Sequence, residues 1–171
     1  MAGLERAIIK GQKALREPIM RDQLKTAMKD ALKGGDTKRL GTLRLITAAL
    51  KDRDIAARSK GQTDGISDEE ILSMLQTMIK QRKESARLYR EGGRDELAAA
   101  EDAEITVICS FMPEQMDEDA VAKAIRTAIA ETGAESIKDM GKVMGFLKQH
   151  YAGQMDFAAA SATIKSMLMG D

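Results

Sequence analysis

The spacing of apolar residues limits the possible folds of this chain more than any other feature. From Met20 onward, apolar side chains recur every three or four residues, as in the run Leu24, Ala27, Met28, Ala31 and Leu32. This period is that of an amphipathic helix. Aromatic residues make up only 3% of the chain, and aromatic and β-branched residues normally build strands. We therefore predict an all-α protein.

Capping residues and glycine pairs divide the sequence into seven predicted helices. Asp36 is placed to cap a helix over about 37–58, and Gly92-Gly93 ends a helix that starts near residue 68. A helix over about 95–111 stops ahead of Pro113. Three shorter helices follow, capped by Asp117, Ser136 and Asp156. The predicted organisation is an N-terminal extension (1–19), a four-helix N-terminal bundle (20–112) and a small three-helix C-terminal subdomain (113–171).

Composition narrows the compartment and the class of function. The one cysteine, Cys109, cannot form an internal disulfide, which suits a reducing compartment. No apolar run reaches the roughly 18–20 residues of a membrane span, and the start does not resemble a signal peptide. We therefore expect a cytoplasmic protein with no membrane association. The sequence has no glycine-rich phosphate loop, nucleophile elbow or zinc spacing, so we predict no catalytic residues, no metal and no cofactor.

Charge is balanced overall but unevenly distributed. Residues 21–94 hold 17 basic and 11 acidic side chains, for a net +6, whereas residues 95–135 hold 2 basic and 11 acidic, for −9. An autonomous nucleic-acid-binding domain usually has a pI above about 9. The chain is neutral with a pI near 6.6, so strong unaided binding to RNA or DNA is not expected.

Arg82 lies in the middle of the apolar face of the predicted helix 68–91, where an unpaired charge is costly. The next helix presents an inward face that we assign to Leu97, Ile105, Ile108 and Met112. Glu101 and Glu104 lie on that same face, and a hairpin at Gly92-Gly93 would bring them to Arg82. Two partly buried carboxylates could be an acid–base pair or metal ligands. With no histidine nearby and an arginine within reach, we interpret the three residues as a structural ion pair.

Two surfaces are candidates for contact with nucleic acid. The first is a stripe on the outer side of helix 68–91, formed by Lys80, Lys83, Arg87 and Arg90, with Arg44 on the preceding helix as a further cation. It could follow phosphates, and a solvated helix face explains it about as well. The second is a predicted helix over 137–149, where Gly141 and Gly145 share one face beside Lys138 and Lys142. Glycine there allows either another helix or a nucleic-acid backbone to approach closely.

Four segments together resemble one family: 42–46 (TLRLI), 80–85 (KQRKES) with Tyr89, 93–97 (GRDEL) with Glu101 and Glu104, and 138–145 (KDMGKVMG). This combination closely resembles the GatB/YqeY-like proteins, over about residues 20–169. The resemblance implies a four-helix bundle followed by a three-helix subdomain. The first 19 residues depart from the pattern. Gln154 also departs from it, because many relatives carry arginine at that position.

The resemblance also carries functional expectations. In that family the same fold forms the tail of the B subunit of glutamine-dependent aminoacyl-tRNA amidotransferases, where it helps to hold tRNA. It therefore implies a non-catalytic tRNA-binding accessory, with tRNA and an aminoacyl-tRNA synthetase or amidotransferase as partners. One alternative is a component of a carbon–nitrogen ligase complex that uses glutamine as amido-nitrogen donor. Another is a protein–protein adaptor that presents its acidic 95–135 region to a basic partner.

Overall fold

The computed structural model describes residues 19–169, and within that range the chain is helical with no strands. The all-α class predicted from the sequence is confirmed. The helices are α1 (Ile19–Gly34), α2 (Thr37–Arg58), α3 (Asp68–Glu91), α4 (Asp95–Cys109), α5 (Glu118–Thr132), a 3₁₀ helix (Ile137–Asp139), α6 (Met140–His150) and α7 (Phe157–Met169). Apart from Ile19, the predicted N-terminal extension lies outside the described residues.

Local capping explains why most helix bounds were predictable. Asp36, Asp117 and Asp156 each accept a hydrogen bond from a backbone amide two or three residues further on, at 2.7–3.0 Å. Each bond satisfies an amide that the first helical turn leaves without a partner. At the other end of α5, Gly133 adopts the left-handed conformation with φ 60°, which glycine reaches at no steric cost. These predicted start and stop signals are confirmed.

The chain divides into two compact units, of which the first ends at Asp68 and the second begins at Glu69. In the first unit α1 and α2 run antiparallel, since Arg21 contacts Asp54 near one end and Met28 contacts Thr47 nearer the turn. The predicted packing of the first four helices as one bundle, and the predicted boundary between residues 112 and 113, stay predictions.

The interface between α1 and α2 is apolar, and its buried side chains include Leu24 and Ala31 on α1 and Leu43 and Ile46 on α2. The predicted apolar stripe is wrong at Leu32, which is 65% exposed. Because successive residues are rotated by about 100° around a helix, Leu32 points away from α2 when its neighbour Ala31 points toward it.

A hydrogen-bonded ion pair closes the first unit and was not predicted from the sequence. The Arg21 guanidinium donates to both carboxylate oxygens of Asp54 at 2.8 Å, and its Nη2 also donates to the carbonyl of Ile66 at 2.9 Å. The amide of Ile66 donates to Asp54 Oδ1 at 2.9 Å. This network ties the segment after α2 to both helices. The hydrogen bond from Arg21 holds the pKa of Asp54 below its ordinary value.

Gly65 has to be glycine for this network to form. Its φ is +85°, and a Cβ atom built there would lie 2.6 Å from Asp54 Oδ1 and 2.8 Å from Arg21 Nη2. Both the backbone conformation and the close approach of the ion pair therefore exclude a side chain at this position.

In the second unit, α3 buries Ile71, Met74, Leu75, Met78 and Ala86, and α4 buries Ala98 and Ile108. The predicted inward face of α4 is wrong at Leu97, which is 44% exposed. The buried side of α4 instead follows positions 98, 101, 105 and 108, which share one face at helical spacing. Leu97 is rotated out of that face by one residue.

The last three helices pack around one apolar core, as predicted. Its buried members come from α5, α6, α7, the segment after α5 and the turn before α7; they are Ala124, Ile125, Ala128, Ala134, Val143, Leu147, Met155, Ala160 and Ile164. Small alanines on α5 and α7 let the short helices approach one another closely. Across residues 19–169, none of the helices combines the length and the apolar character that crossing a membrane requires.

Candidate nucleic-acid interface

The ion pair expected between α3 and α4 joins Arg82 to one of the two named glutamates. Arg82 Nε donates to Glu104 Oε2 at 2.7 Å, and Nη1 donates to the carbonyl of Met78 at 3.3 Å. The Arg82 side chain is 14% exposed and that of Glu104 is 34% exposed. Glu101 is half-buried and makes no ion pair within residues 19–169. The arginine is thus satisfied by one carboxylate and one carbonyl, which is an arrangement for holding two helices together.

The basic stripe on α3 is exposed along its whole length, but intramolecular pairs offset half of its charge. Arg87 donates to Glu84 at 2.6 Å and also pairs with Glu91, and Arg90 pairs with Asp102 of α4. Glu84 raises the pKa of Arg87, and the same hydrogen bond lowers the pKa of Glu84.

The other half of the stripe consists of two lysines whose charge no carboxylate within residues 19–169 offsets. Among the described residues, Lys80 and Lys83 form no ion pair. Arg44, which lies exposed on α2 in the first unit, is likewise unpaired in that part of the chain. A phosphate contact on α3 would therefore depend mainly on the two lysines.

The helix predicted over 137–149 is wrong in its first turn. Residues Ile137–Asp139 form a 3₁₀ helix, and α6 begins only at Met140. Ser136, predicted to cap this helix, makes no capping hydrogen bond to the backbone. Instead its hydroxyl donates to the Asp139 carboxylate at 3.4 Å, and the amide of Glu135 donates to the same oxygen at 3.3 Å. The carboxylate draws the chain into a tighter turn than an α-helix makes.

Lys138 lies in this turn and Lys142 follows it, and both are exposed. Lys142 Nζ donates to Asp139 Oδ1 at 2.9 Å, and the Lys142 side chain is 69% exposed. That hydrogen bond is the main reason why the pKa of Asp139 is lowered. An exposed pair of this kind contributes little to stability, so a phosphate could take the place of the carboxylate at Lys142.

Gly141 and Gly145 lie on the exposed side of α6. A Cβ atom built at either position meets no atom of the second unit within 4 Å. Close packing of a neighbouring helix within that unit, one of the two explanations open at the sequence level, is therefore wrong. The other explanation, close approach of a nucleic-acid backbone to these glycines, stays a prediction.

Sequence reasoning missed one further cation on this surface. Lys148 is exposed in the last turn of α6, seven residues after Gly141 and three after Gly145, and so lies on the same face of the helix. The seven-residue spacing is the signal that could have identified it. We call Lys138, Gly141, Lys142, Gly145 and Lys148 the α6 surface.

These features define an all-helical protein with exposed cationic helix faces. Within residues 19–169, no group of three or more histidine, cysteine, aspartate or glutamate side chains is placed to hold a metal ion. The family model described as Yqey-like protein matches residues 21–168. The chain therefore belongs to the YqeY-like family.

Among curated proteins, the chain is similar to "Altered inheritance of mitochondria protein 41, mitochondrial" of Saccharomyces cerevisiae, in strains YJM789, Lalvin EC1118 and RM11-1a. Each is 27% identical to this chain over 128 residues, covering 71% of the chain and 66% of the yeast protein. The match thus spans just under two thirds of the length of these relatives. The name places the yeast protein in mitochondria and states no biochemical activity.

Proposed function

We propose that this protein is a non-catalytic tRNA-binding accessory of aminoacyl-tRNA metabolism, and that the α6 surface contacts the RNA backbone. The observation that carries the proposal is the pair of open glycines, Gly141 and Gly145, beside Lys138 and Lys142. The family resemblance, which implies a tRNA-holding tail module, supports the same conclusion.

Gly145 needs an explanation because it lies in the interior of α6 and weakens that helix, whereas Gly141 lies in the first turn. A glycine in a helix interior costs about 1 kcal/mol relative to alanine. No packing within the second unit offsets that cost, since nothing there lies within 4 Å of either built Cβ. What the glycines do provide is a strip of bare helical backbone. A sugar–phosphate chain can approach such a strip more closely than it could approach one covered by side chains.

The charges beside the strip suit phosphate rather than base recognition. Lysine contacts to phosphate position a nucleic acid without reading its sequence. Sequence-tolerant single-strand binders add aromatic side chains on which bases stack, and the α6 surface contains none. We therefore propose a contact to the backbone of a folded RNA.

The affinity of the isolated protein should be low. The chain is neutral overall, and Arg87, Arg90 and Lys142 are already engaged by carboxylates. Specific binding would then require a second protein, for which the resemblance points to an aminoacyl-tRNA synthetase or amidotransferase. The cytoplasm remains our proposed location, on the ground of the single cysteine, although the name of the yeast relative places that protein in mitochondria.

A filter-retention experiment with folded tRNA at low and high salt tests this function. We expect salt-sensitive retention of tRNA, and no turnover of ATP or glutamine by the protein alone. Turnover of both substrates would favour the alternative of a carbon–nitrogen ligase component with glutamine as amido-nitrogen donor. Absence of tRNA retention at the lowest salt, together with recovery of a nuclease-resistant protein complex from cytosol, would favour the adaptor alternative.

A further inference from the structure

The turn between α6 and α7, residues 151–156, accepts three hydrogen bonds from donors outside it. The three consecutive carbonyl oxygens of residues 153–155 each accept one. The amide of Met116 donates one of these bonds at 2.9 Å. The side-chain amides of Gln76 on α3 and Gln115 donate the other two, at 2.9 and 2.6 Å.

The same turn also makes close apolar contacts. Gly153 is buried with φ +74°, and a Cβ built on it would lie 3.2 Å from side-chain atoms of Leu72 on α3 and of Pro113. Met155 is buried as well. The turn therefore lies directly against α3 and against the segment that precedes α5. We call this contact the α3 joint, formed by Leu72, Gln76, Pro113, Gln115 and residues 153–155.

The joint and the basic stripe lie on one face of α3. Starting from Gln76, the residues Lys80, Lys83 and Arg87 follow at intervals of four, three and four, so all lie within about 60° of one another around the helix. Gln76 and Lys80 are therefore neighbours, with Cβ atoms about 5–6 Å apart. Since α6 ends at His150, immediately before the turn, the joint connects that end of α6 to the face of α3 that carries the stripe.

We propose that the α3 joint holds the α6 surface and the basic stripe of α3 as one composite surface, and that Gln76 and Gln115 are positioning residues for folded RNA. This inference rests on the proposed function. Each cationic face is only about 15 Å long and is partly offset by carboxylates, so each face alone should bind RNA only weakly. Two faces held at a fixed spacing can bind two backbone segments of one folded RNA together. An unstructured single strand can adapt to either face separately and does not need the joint.

The test uses the full chain with Gln76 and Gln115 both changed to alanine. The matched control is Gln23→Ala with Gln62→Ala, two exposed glutamines of the first unit. Spin labels are attached at Gln81→Cys on α3 and Thr127→Cys on α5, both exposed, in a Cys109→Ser background. Pulsed electron resonance should give one narrow label-to-label distance in the parent and control, and a broad distribution in the joint variant with unchanged helix content. If the double variant loses helical signal, Gln115→Ala alone replaces it, because that side chain is exposed.

The RNA measurement separates this inference from the proposed function. Linking two binding sites gains about 10²–10⁴-fold in affinity. In the joint variant the two surfaces still belong to one polypeptide, so part of that gain remains. The variant should therefore bind folded tRNA about tenfold more weakly than the parent. Its affinity for a polyuridine strand should not change. A narrow distance distribution in the variant, or a broad one with unchanged tRNA affinity, would overturn the inference. If the parent chain binds no tRNA, the proposed function and the RNA role both fail, and the distance distribution still decides whether the joint holds the C-terminal helices.

Discussion

Replacing Gly145 with alanine should make the protein more stable and a weaker RNA binder. Gly145 is the sixth residue of α6, in the helix interior, and a Cβ there meets nothing within the second unit. The substitution should therefore gain the full helix-propensity difference, about 1 kcal/mol, which corresponds to a rise in Tm of about 2–4 °C for a chain of this size. If an RNA backbone lies against this face, the added methyl group should hold it away and weaken tRNA binding by about fivefold, or roughly 1 kcal/mol.

Gly41 provides the matched control for this substitution. It is the fifth residue of α2, it is exposed, and a Cβ built there also meets no atom within 4 Å. Gly41→Ala should raise the Tm by the same amount and leave tRNA affinity unchanged. The assays are thermal unfolding by circular dichroism and tRNA titration at low salt. A Gly145→Ala protein that is more stable and binds tRNA as tightly as its parent would refute the account of the open glycines.

Three further substitutions test the ion pairs. The pKa of Asp54 is lowered in the folded state, so the stability that Asp54 contributes is present above its unfolded pKa, near 4, and is lost as pH falls through the folded value. In urea unfolding between pH 7 and 3, Asp54→Asn should be less stable than the parent at pH 7 and should lose less free energy of unfolding on acidification. Parallel pH profiles of the two proteins would contradict this. Arg82→Met leaves Glu104 without its partner and should lower the free energy of unfolding by about 2 kcal/mol, because Glu104 remains partly exposed; a change near zero would show that the pair is not structural. Asp139→Asn should release Lys142 and tighten tRNA binding at low salt, whereas an unchanged affinity would mean that Lys142 does not meet phosphate.

The features that the sequence predicted correctly are those that depend on local interactions, such as the caps and ends of helices. Asp36 and Asp117 cap their helices through amides only three residues away, and Gly93 ends α3 with a positive φ. Such signals are contained within one turn of the chain, so they survive whatever the tertiary packing is. The errors at Leu32 and Leu97 have the opposite origin. Each has a buried alanine next to it, and only the packing partner decides which of two adjacent apolar residues faces inward.

Contacts between distant residues could not be predicted in the same way. Arg21 lies 33 residues from Asp54 and 45 from Ile66, and Gln76 lies 79 from Met155. Nothing in the composition near either end identifies its partner. At the candidate interface, the sequence identified the glycines and lysines of α6. It could not show whether Gly141 and Gly145 are covered, nor that Asp139 pairs with Lys142 and tightens the turn before α6.

The most direct test of the proposed function is the salt dependence of tRNA binding when Lys138 and Lys142 are changed together to glutamine. The matched control is Lys29→Gln with Lys33→Gln on α1, which removes the same charge at the same spacing from two exposed positions. Each lysine that contacts phosphate contributes about 0.7–0.9 to the slope of log affinity against log salt. We expect the slope of the Lys138 and Lys142 variant to fall by about one to two units while the control keeps the parental slope. Equal slopes in the parent, the variant and the control would contradict an RNA contact at α6.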